Sequence, residues 1–509
     1  MKLVAGLATV GVATIVAIAP VGAQIVAERA DLGIARAIRE EGLDRSQIPE
    51  LGRYLTEVIG PRLTGSPGMK RANEWTAEKF RDWGLVNVSV EPWGEFGRGW
   101  ERDYYAGRIL TPFVQPLHAQ PIAWTGSTSG TATGPAMVIQ AETVEDLERY
   151  RGKLSDAWVL MREMREIEPD WESADRRLSL ERLLAPPPEP RERQRPRNIE
   201  ELRARFRRMR ELRTSIAAII QEEGAAGIIT PSSRGNGVLD GGGGAGRDPE
   251  SPIPMPQLAI TREQYNFIYR NVEAGVPVSL EIDVRNKFFE DDLQAYNTLG
   301  DIPGSDKADE YVMIGAHLDS WHMGGGATDN GAGSIVMMEA MRILKAVGAQ
   351  PRRTIRVALW SGEEQGLLGS RAWVANHPEL HDAISVYLNV DNGTGRIRGM
   401  RTQGNEAAMP IFEQILFPYR DIGVVVVNDA VNGGTDHLSF DRVGIPGFNF
   451  WQDPIEYSQK THHTFLDTYD HLVLDDLKQA AVVVAYTAYH LAMREEMVPR
   501  KQEDRPATF

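Results

Sequence analysis

Hydrophobic and polar positions divide the chain into stretches with different rhythms. From Ile34 to Glu57 apolar residues recur at helical spacing among charges, and Asn73–Trp83 reads as a second amphipathic helix. Val86-Asn87-Val88-Ser89-Val90 then alternates as a strand does. Between about Pro112 and Val284 short β-like runs take over, at Ala136–Ile139 and Ala157–Met161, followed by Gly224–Ile229 and a glycine-rich loop at Gly241–Gly246. From Asp291 onward strand and helix signals alternate. Strands are predicted at Tyr311–Ala316, Thr354–Trp360, Ile384–Val390, Asp421–Val427 and Ile445–Trp451, and helices at Ser334–Val347 and Leu472–Met493. This alternation predicts an α/β domain with a mostly parallel central sheet and helices on both faces, preceded by a smaller β-rich domain. At 509 residues the chain is long enough for two such units.

Composition narrows the chemistry. There are 71 acidic residues against 56 Lys and Arg, a formal charge of -15, which argues against non-specific nucleic-acid binding. Cysteine is absent, so any metal is held by His and carboxylates. Arg176 to Arg213 is dense in Arg with Pro186-Pro187-Pro188 in its midst, but Glu interleaves throughout, as in a solvated helical hairpin or surface excursion. Met1-Lys2 precedes a run from Leu3 to Ala19 that is apolar apart from Thr9 and Thr14, and Val21-Gly22-Ala23 follows Pro20. That is the form of a secretory signal cut after Ala23, so the expected location is periplasmic or secreted, with no stable membrane insertion after its removal. No later stretch is apolar enough to span a bilayer.

In open α/β sheets, active groups gather beyond the carboxyl ends of the strands. The polar residues fall there. The strand ending at Ala316 delivers His317-Leu318-Asp319, a loop at Gly324-Gly325-Gly326 leads to Asp329, Trp360 is followed by Glu363-Glu364, Val390 by Asp391, and a late loop holds His462-His463 and Asp467. His317, Asp329, Glu364, Asp391 and His463 are the candidate metal ligands, a set suited to two divalent ions without thiolate. Asp329 is the natural bridge. One carboxylate of the Glu363-Glu364 pair can ligate while the other takes a proton from metal-activated water. A ligating imidazole usually gives its second N–H to a carboxylate, so Asp319 is expected to serve His317, and Asp467 to serve His463. Capping of a helix would explain Asp329 alone, but not five ligand types at successive strand ends. His322 is a candidate pocket residue, and Asp436-His437 either contacts substrate or stabilises a turn.

The segments His317-Leu318-Asp319-Ser320-Trp321, Thr328-Asp329-Asn330-Gly331-Ala332-Gly333, Leu359-Trp360-Ser361-Gly362-Glu363-Glu364-Gln365-Gly366, Asn389-Val390-Asp391-Asn392-Gly393-Thr394 and His463-Thr464-Phe465-Leu466-Asp467-Thr468 resemble the M28 family of metallopeptidases, in particular its carboxypeptidase Q branch. The likeness runs in order from about Glu57 to Leu474. It implies a zinc-aminopeptidase-like fold with one zinc on Asp329, Glu364 and His463 and another on Asp329, His317 and Asp391. Glu363 is then the general base, supported by Asp319 as the second catalytic candidate. Manganese or cobalt are conceivable substitutes for zinc. The His-Thr-X-X-Asp-Thr spacing selects His463 over His462. A cis peptide bond is expected after Asp329, and Asn330 stands where the branch has Asp.

The resemblance also divides the chain. Residues 1–23 are the signal, 24–111 the first part of the peptidase domain, 112–284 an inserted protease-associated-like domain with an Arg/Pro-rich excursion at 163–213, 285–498 the catalytic part, and 499–509 a tail. The expected activity is hydrolysis of peptide bonds at the ends of small peptides, as an aminopeptidase, dipeptidase or carboxypeptidase. The expected partners are a peptide substrate, no nucleic acid, and a second copy in a homodimer. Two other readings share the scaffold: a glutaminyl-cyclase-like acyl transferase with a single zinc, and a catalytically inactive binding protein.

Overall fold

The computed structural model describes residues 31–143, 145–169, 171, 176–185 and 199–501. The expected signal and Pro186-Pro187-Pro188 lie outside them. A helix Leu32–Asp44 opens the described chain, with the Asp31 carboxylate accepting from the N–H groups of Gly33 and Ile34. The helical signal that runs on to Glu57 is split in the structure, into a helix Ile48–Arg53 and a wide turn at Tyr54–Ile59 that ends at Gly60, φ 79°. A helix Pro67–Asp82 follows, capped by Ser66 and begun by a proline.

The strands then divide between two sheets. After β1 (Val86–Glu95) come β2 (Gly99–Thr111), β3 (Gln115–Pro116), β4 (Ala119–Pro121), β5 (Ala132–Val138), β6 (Trp158–Leu160), β7 (Gly227–Pro231), β8 (Gln257–Ile260) and β9 (Ser279–Phe289). The chain continues through β10 (Gln294–Ile302), β11 (Lys307–His317), β12 (Arg353–Trp360), β13 (Ile384–Asn389), β14 (Ile397–Arg401), β15 (Val426–Asn428) and β16 (Gly447–Gln452). One eight-stranded sheet has the order β1-β10-β12-β11-β13-β16-β14-β15, the other β3-β2-β9-β5-β6-β7-β8-β4.

In the first sheet the central strands β12, β11, β13 and β16 are parallel, while β1 and β10 are antiparallel on one flank and β14 pairs antiparallel with β16 on the other. Helices cover both faces. The helices Ala332–Ala346 and Leu474–Met493 share a core with Val312, Ile314, Ile355 and Val357, and the opposite face packs Trp360, Trp373, Tyr387 and Phe440. Beyond its charged first turn Leu474–Met493 is mainly apolar, as a helix enclosed by protein should be, and it is buried from Gln479 to Ala492. A strand is not formed over Asp421–Val427. Pro418 starts a 3₁₀ turn over Phe417–Ile422, Gly423 turns the chain at φ 102°, and only Val426–Asn428 pairs.

The second sheet closes around Trp158, Ile229, Tyr265 and Ile282. Its Arg-rich stretch serves the topology, because β6 and β7 are parallel neighbours and such neighbours need a crossover. The helix Ile199–Glu222 supplies it and buries Ile216, Ile219 and Ile220 beside Val159 and Ile228. The buried isoleucines follow the Arg-rich stretch, in the last turns of the helix, where the apolar residues face the sheet.

Candidate metal centre

The centre is assembled beyond the carboxyl ends of the parallel strands. His317 ends β11, level with Trp360 at the end of β12. After Trp360 the chain turns at Gly362, φ 72°, and the N–H groups of Glu363 and Glu364 both donate to the buried carboxylate of Asp319, at 3.3 Å each. That shared acceptor bends the turn so that the two neighbouring glutamates reach different places. Glu363 Oε2 lies 3.9 Å from His317 Nε2, and Glu364 Oε2 lies 2.9 Å from His463 Nε2.

Asp329 stands between two sets of donors. Its Oδ1 is 3.4 Å from His317 Nε2, which is also 3.4 Å from Asp391 Oδ1. Its Oδ2 is 3.2 Å from His463 Nε2. Ligand atoms of His317, Asp329 and Asp391 all lie within 4.8 Å of one another, as do those of Asp329, His462 and His463. The second grouping brings in His462, whose ring stacks on His463 at 3.7 Å but stands 3.7 Å from Asp329 Oδ2. His463 is the better donor because it meets both Asp329 and Glu364, and burial lowers the pKa of His462.

The donor set suits cations. Asp329 Oδ2, Glu364 Oε1 and Asp391 Oδ1 are buried oxygens with no hydrogen-bond partner among the described residues. Burial, with Asp329 beside it, pushes Glu364 up to about 8. Burial also raises Glu363 well above the carboxylate range, against the attraction of His317. Burial opposes protonation of His463, yet the neighbouring Asp329 and Glu364 carboxylates push it up to about 10. Carboxylates crowded at one buried place share protons or take cations.

The supports differ from the expected ones. His317 Nδ1 donates to the backbone carbonyl of Asp319 at 3.0 Å, with the Asp319 carboxylate 3.6 Å away. A carbonyl only accepts, so Nδ1 carries a proton and Nε2 faces Asp329 and Asp391. Asp467 does not orient His463 by any hydrogen bond in the structure. Its carboxylate accepts from the N–H groups of Thr328, at 2.5 Å, and Asp329, at 3.2 Å, and so holds the loop that carries the bridge. The Asp329–Asn330 peptide is cis. Asn330 donates to Val390 O and accepts from Gly333 N, at 2.8 Å each, a pairing whose donor half an ionised aspartate lacks.

Arg62 and Tyr457 carry no sequence signal that singles them out, whereas Asp436 and His322 are candidates of the sequence. The Arg62 guanidinium is fully buried and donates to the carbonyls of Gly60, Leu318, Gly325 and Gly326. Its only sequence signal is a place in Gly60-Pro61-Arg62-Leu63. Asp436 is buried, accepts from Ser370 Oγ at 2.5 Å, and is raised to about 7 by burial, with Asp391 and Asp319 adding to the rise. Tyr457 is half-buried near Asp329, Asp391 and Glu364, a lone loop tyrosine without a motif. His322 turns from the metal ligands and meets Pro121 O at 2.7 Å and the Trp100 ring at 4.9 Å.

The second sheet walls the site. Asp240 forms a β-bridge with Thr464, Phe465 N donates to Leu239 O at 3.0 Å, and Arg234 donates to Ser458 O at 2.7 Å. Trp321 packs between Trp124 and the His463 ring, 6.1 Å from each. The small cleft that remains is lined by Trp321, Asp329, Glu364, His463 and Thr464 among others. From the other side, Arg177 of the excursion reaches Asp453 at 3.3 Å and Asp476 at 2.5 Å, and Leu178 N donates to Asp453 Oδ1. Asp453 lies at the root of the loop that carries His463.

An open α/β sheet with an acid-bridged pair of His and carboxylate sets at its carboxyl edge defines a metallopeptidase. Residues 297–488 match peptidase family M28. It is 27% identical over 449 residues to carboxypeptidase Q of Bos taurus, covering 88% of this chain and 85% of that one. The structure of a peptidase M28 precursor from Shewanella amazonensis superposes with a TM-score of 0.66 at 26% identity, over 92% of this chain and 99% of that one. A zinc aminopeptidase from Bacillus subtilis shares the fold, with a TM-score of 0.56 at 20% identity over 88% and 95% of the two chains. Among the described residues no helix is long and apolar enough to cross a membrane.

Proposed function

We propose that the protein is an exported two-zinc exopeptidase that hydrolyses peptide bonds at the ends of small peptides. The observation that carries this reading is Asp329, which presents one oxygen to His317 and the other to His463. His317 and Asp391 would hold one ion with Asp329, and Glu364 and His463 the other. Two divalent ions so placed polarise a peptide carbonyl and make water nucleophilic near neutral pH. Glu363, 10% exposed, takes the proton of the attacking water and passes it to the leaving amine. Asp319 acts by position, through the turn that aims Glu363 and Glu364 and through the carbonyl that sets the His317 tautomer. The likeness to a zinc aminopeptidase and to carboxypeptidase Q supports zinc and end-directed cleavage. Residues 112–284 are read as a protease-associated-like insertion, whose contacts with the His463 loop wall the site and so favour short peptides.

Elemental analysis of the purified mature protein, with hydrolysis of unblocked and end-blocked dipeptides, tests the reading. Two zinc ions per chain and chelator-sensitive cleavage of unblocked dipeptides are expected. One ion without cleavage favours the single-zinc acyl transferase. N-terminal sequencing of secreted material should begin at Gln24, and a start at Met1 refutes export by the proposed signal.

A further inference from the structure

His462 is the one histidine of the centre to which two resident ions assign no task. Successive side chains of an extended segment point to opposite sides, so neighbours rarely serve one place. Here the chain bends at His463, whose φ of 61° is a left-handed value uncommon outside glycine. At that bend the two imidazoles lie nearly parallel, 3.7 Å apart with 22° between their planes. The bend is pinned by backbone bonds. His462 N donates to Tyr457 O at 2.9 Å, closing the wide turn Tyr457–Thr461, and Arg234 Nη2 donates to His462 O at 3.4 Å. The Tyr457 ring meets the His462 ring edge-on at 5.0 Å.

The His462 ring also lacks the bonds that occupy other histidines. His377, His381 and His437 each meet a backbone carbonyl, and His471 meets the Glu456 carboxylate. Beyond its approach to Asp329, the His462 ring has no hydrogen bond among the described residues. A ring that only packed would need no nitrogen. Donor atoms about 2.1 Å from a zinc ion stand about 3.4 Å apart in a tetrahedral array. His463 Nε2 is 3.2 Å and His462 Nε2 is 3.7 Å from the same Asp329 oxygen, and the three donors lie within 4.8 Å of one another. Exposure separates this trio from the set completed by Glu364. The His462 and His463 side chains are 37% and 36% exposed, whereas that of Glu364 is 2% exposed. From solvent, the paired imidazoles are reached before Glu364.

We propose that His462, His463 and Asp329 form an outer capture site for a zinc-like divalent cation, and that exchange of His462 for Glu364 then completes the resident set. This rests on the two-ion reading above and adds the route by which its more exposed half is loaded. Asp329 and His463 belong to both sets, so the exchange replaces one ligand bond and keeps two. Imidazole suits zinc and cobalt, whereas manganese and magnesium favour oxygen. Two imidazoles and one carboxylate therefore select at entry, where one imidazole and two carboxylates are more permissive.

The test uses full-length protein stripped by a chelator, with cobalt and manganese as probes. Cobalt is followed by its visible absorption and by equilibrium dialysis, manganese by water proton relaxation. His462→Phe keeps a stacking ring and removes both nitrogens. A ligand used only on the way in changes entry and exit by one factor. Cobalt uptake and its release to excess chelator should therefore both slow about tenfold in His462→Phe, with the dissociation constant unchanged. Manganese uptake should change by less than about twofold. In Glu364→Ala a second cobalt ion should still bind through the trio, and adding His462→Phe should abolish it. Unchanged cobalt rates in His462→Phe overturn the capture site and leave the ring a packing element. Faster release with weaker binding also overturns it, because His462 is then an ordinary resident ligand. A protein that binds a single cobalt ion before any substitution refutes the two-ion reading, and the His462→Phe rates for that ion still decide for or against capture.

Discussion

The two donor sets around Asp329 do the same kind of chemistry on different supports. His317 and Asp391 stand at or just beyond the ends of adjacent parallel strands, and the His317 side chain is 1% exposed. His463 sits at φ 61° on a loop, and its side chain is 36% exposed. Strand ends are set by ladders of backbone hydrogen bonds, so the first set is held by the sheet itself. The loop has no ladder of its own. Its course depends on Asp240, Leu239 and Arg234 from the second sheet, and at its root on Asp453, which Arg398 and Arg177 both meet. A centre of this kind has one half that folds with the catalytic sheet and one half that needs the second sheet in place.

Variants can break that comparison at graded cost. Asp329 belongs to both halves, so Asp329→Ala should empty both proposed ion sites. Glu363→Gln should retain metal and lower kcat by at least about a hundredfold. Equal metal loss in the two variants, by elemental analysis, would sink the division between base and ligand. Arg62→Met strips four carbonyls of their donor, the buried ones of Leu318 and Gly326 and the part-buried ones of Gly60 and Gly325. Urea denaturation should show a loss of about 3 kcal/mol or more, and a loss below about 1 kcal/mol would mean that water replaces the guanidinium at little cost.

The contact between the sheets has its own pH window. Burial, with the Arg102 charge adding a little, pushes His322 down to about 4 from its ordinary 6.5. The folded protein keeps this ring neutral where the unfolded chain has already taken a proton. Stability from this group is therefore full above about pH 6.5 and declines as pH falls toward 4, by about 3 kcal/mol in all. His322→Gln should flatten that part of the stability curve; an unchanged slope would place the acid sensitivity elsewhere. The smallest effect is expected from Arg234→Ala, which frees the His463 loop. Stepwise chelation should show one ion held about tenfold more weakly and the other unchanged. Equal weakening of both would remove the distinction between the halves.

The strand-end residues were legible because alternation marks each strand and the ligand types follow at its end. His317, Glu363, Glu364 and Asp391 all have this form, and His463 was found through its spacing to Asp467 rather than through any pattern of its own. Misreadings fell where local signals compete. Asp421–Val427 has the apolar content of a strand, but Pro418 and Gly423 break it. Asp467 lies at the spacing of an imidazole partner, yet its carboxylate closes on the Thr328 and Asp329 amides. Arg62 and Asp436 carry no periodicity, because their roles depend on carbonyls and carboxylates more than a hundred residues away for Arg62 and more than forty for Asp436.

The sequence by itself determined the α/β alternation, the candidate ligand types and the absence of any thiolate, since periodicity and composition are local properties of the chain. Only the tertiary structure decided which oxygen of Asp329 faces which imidazole, that the Arg-rich stretch ends as a crossover helix, and that His462 stacks on His463 beside Asp329. Each of these depends on groups brought together by strand order and register, and a linear chain does not record which of them meet until the sheets have formed.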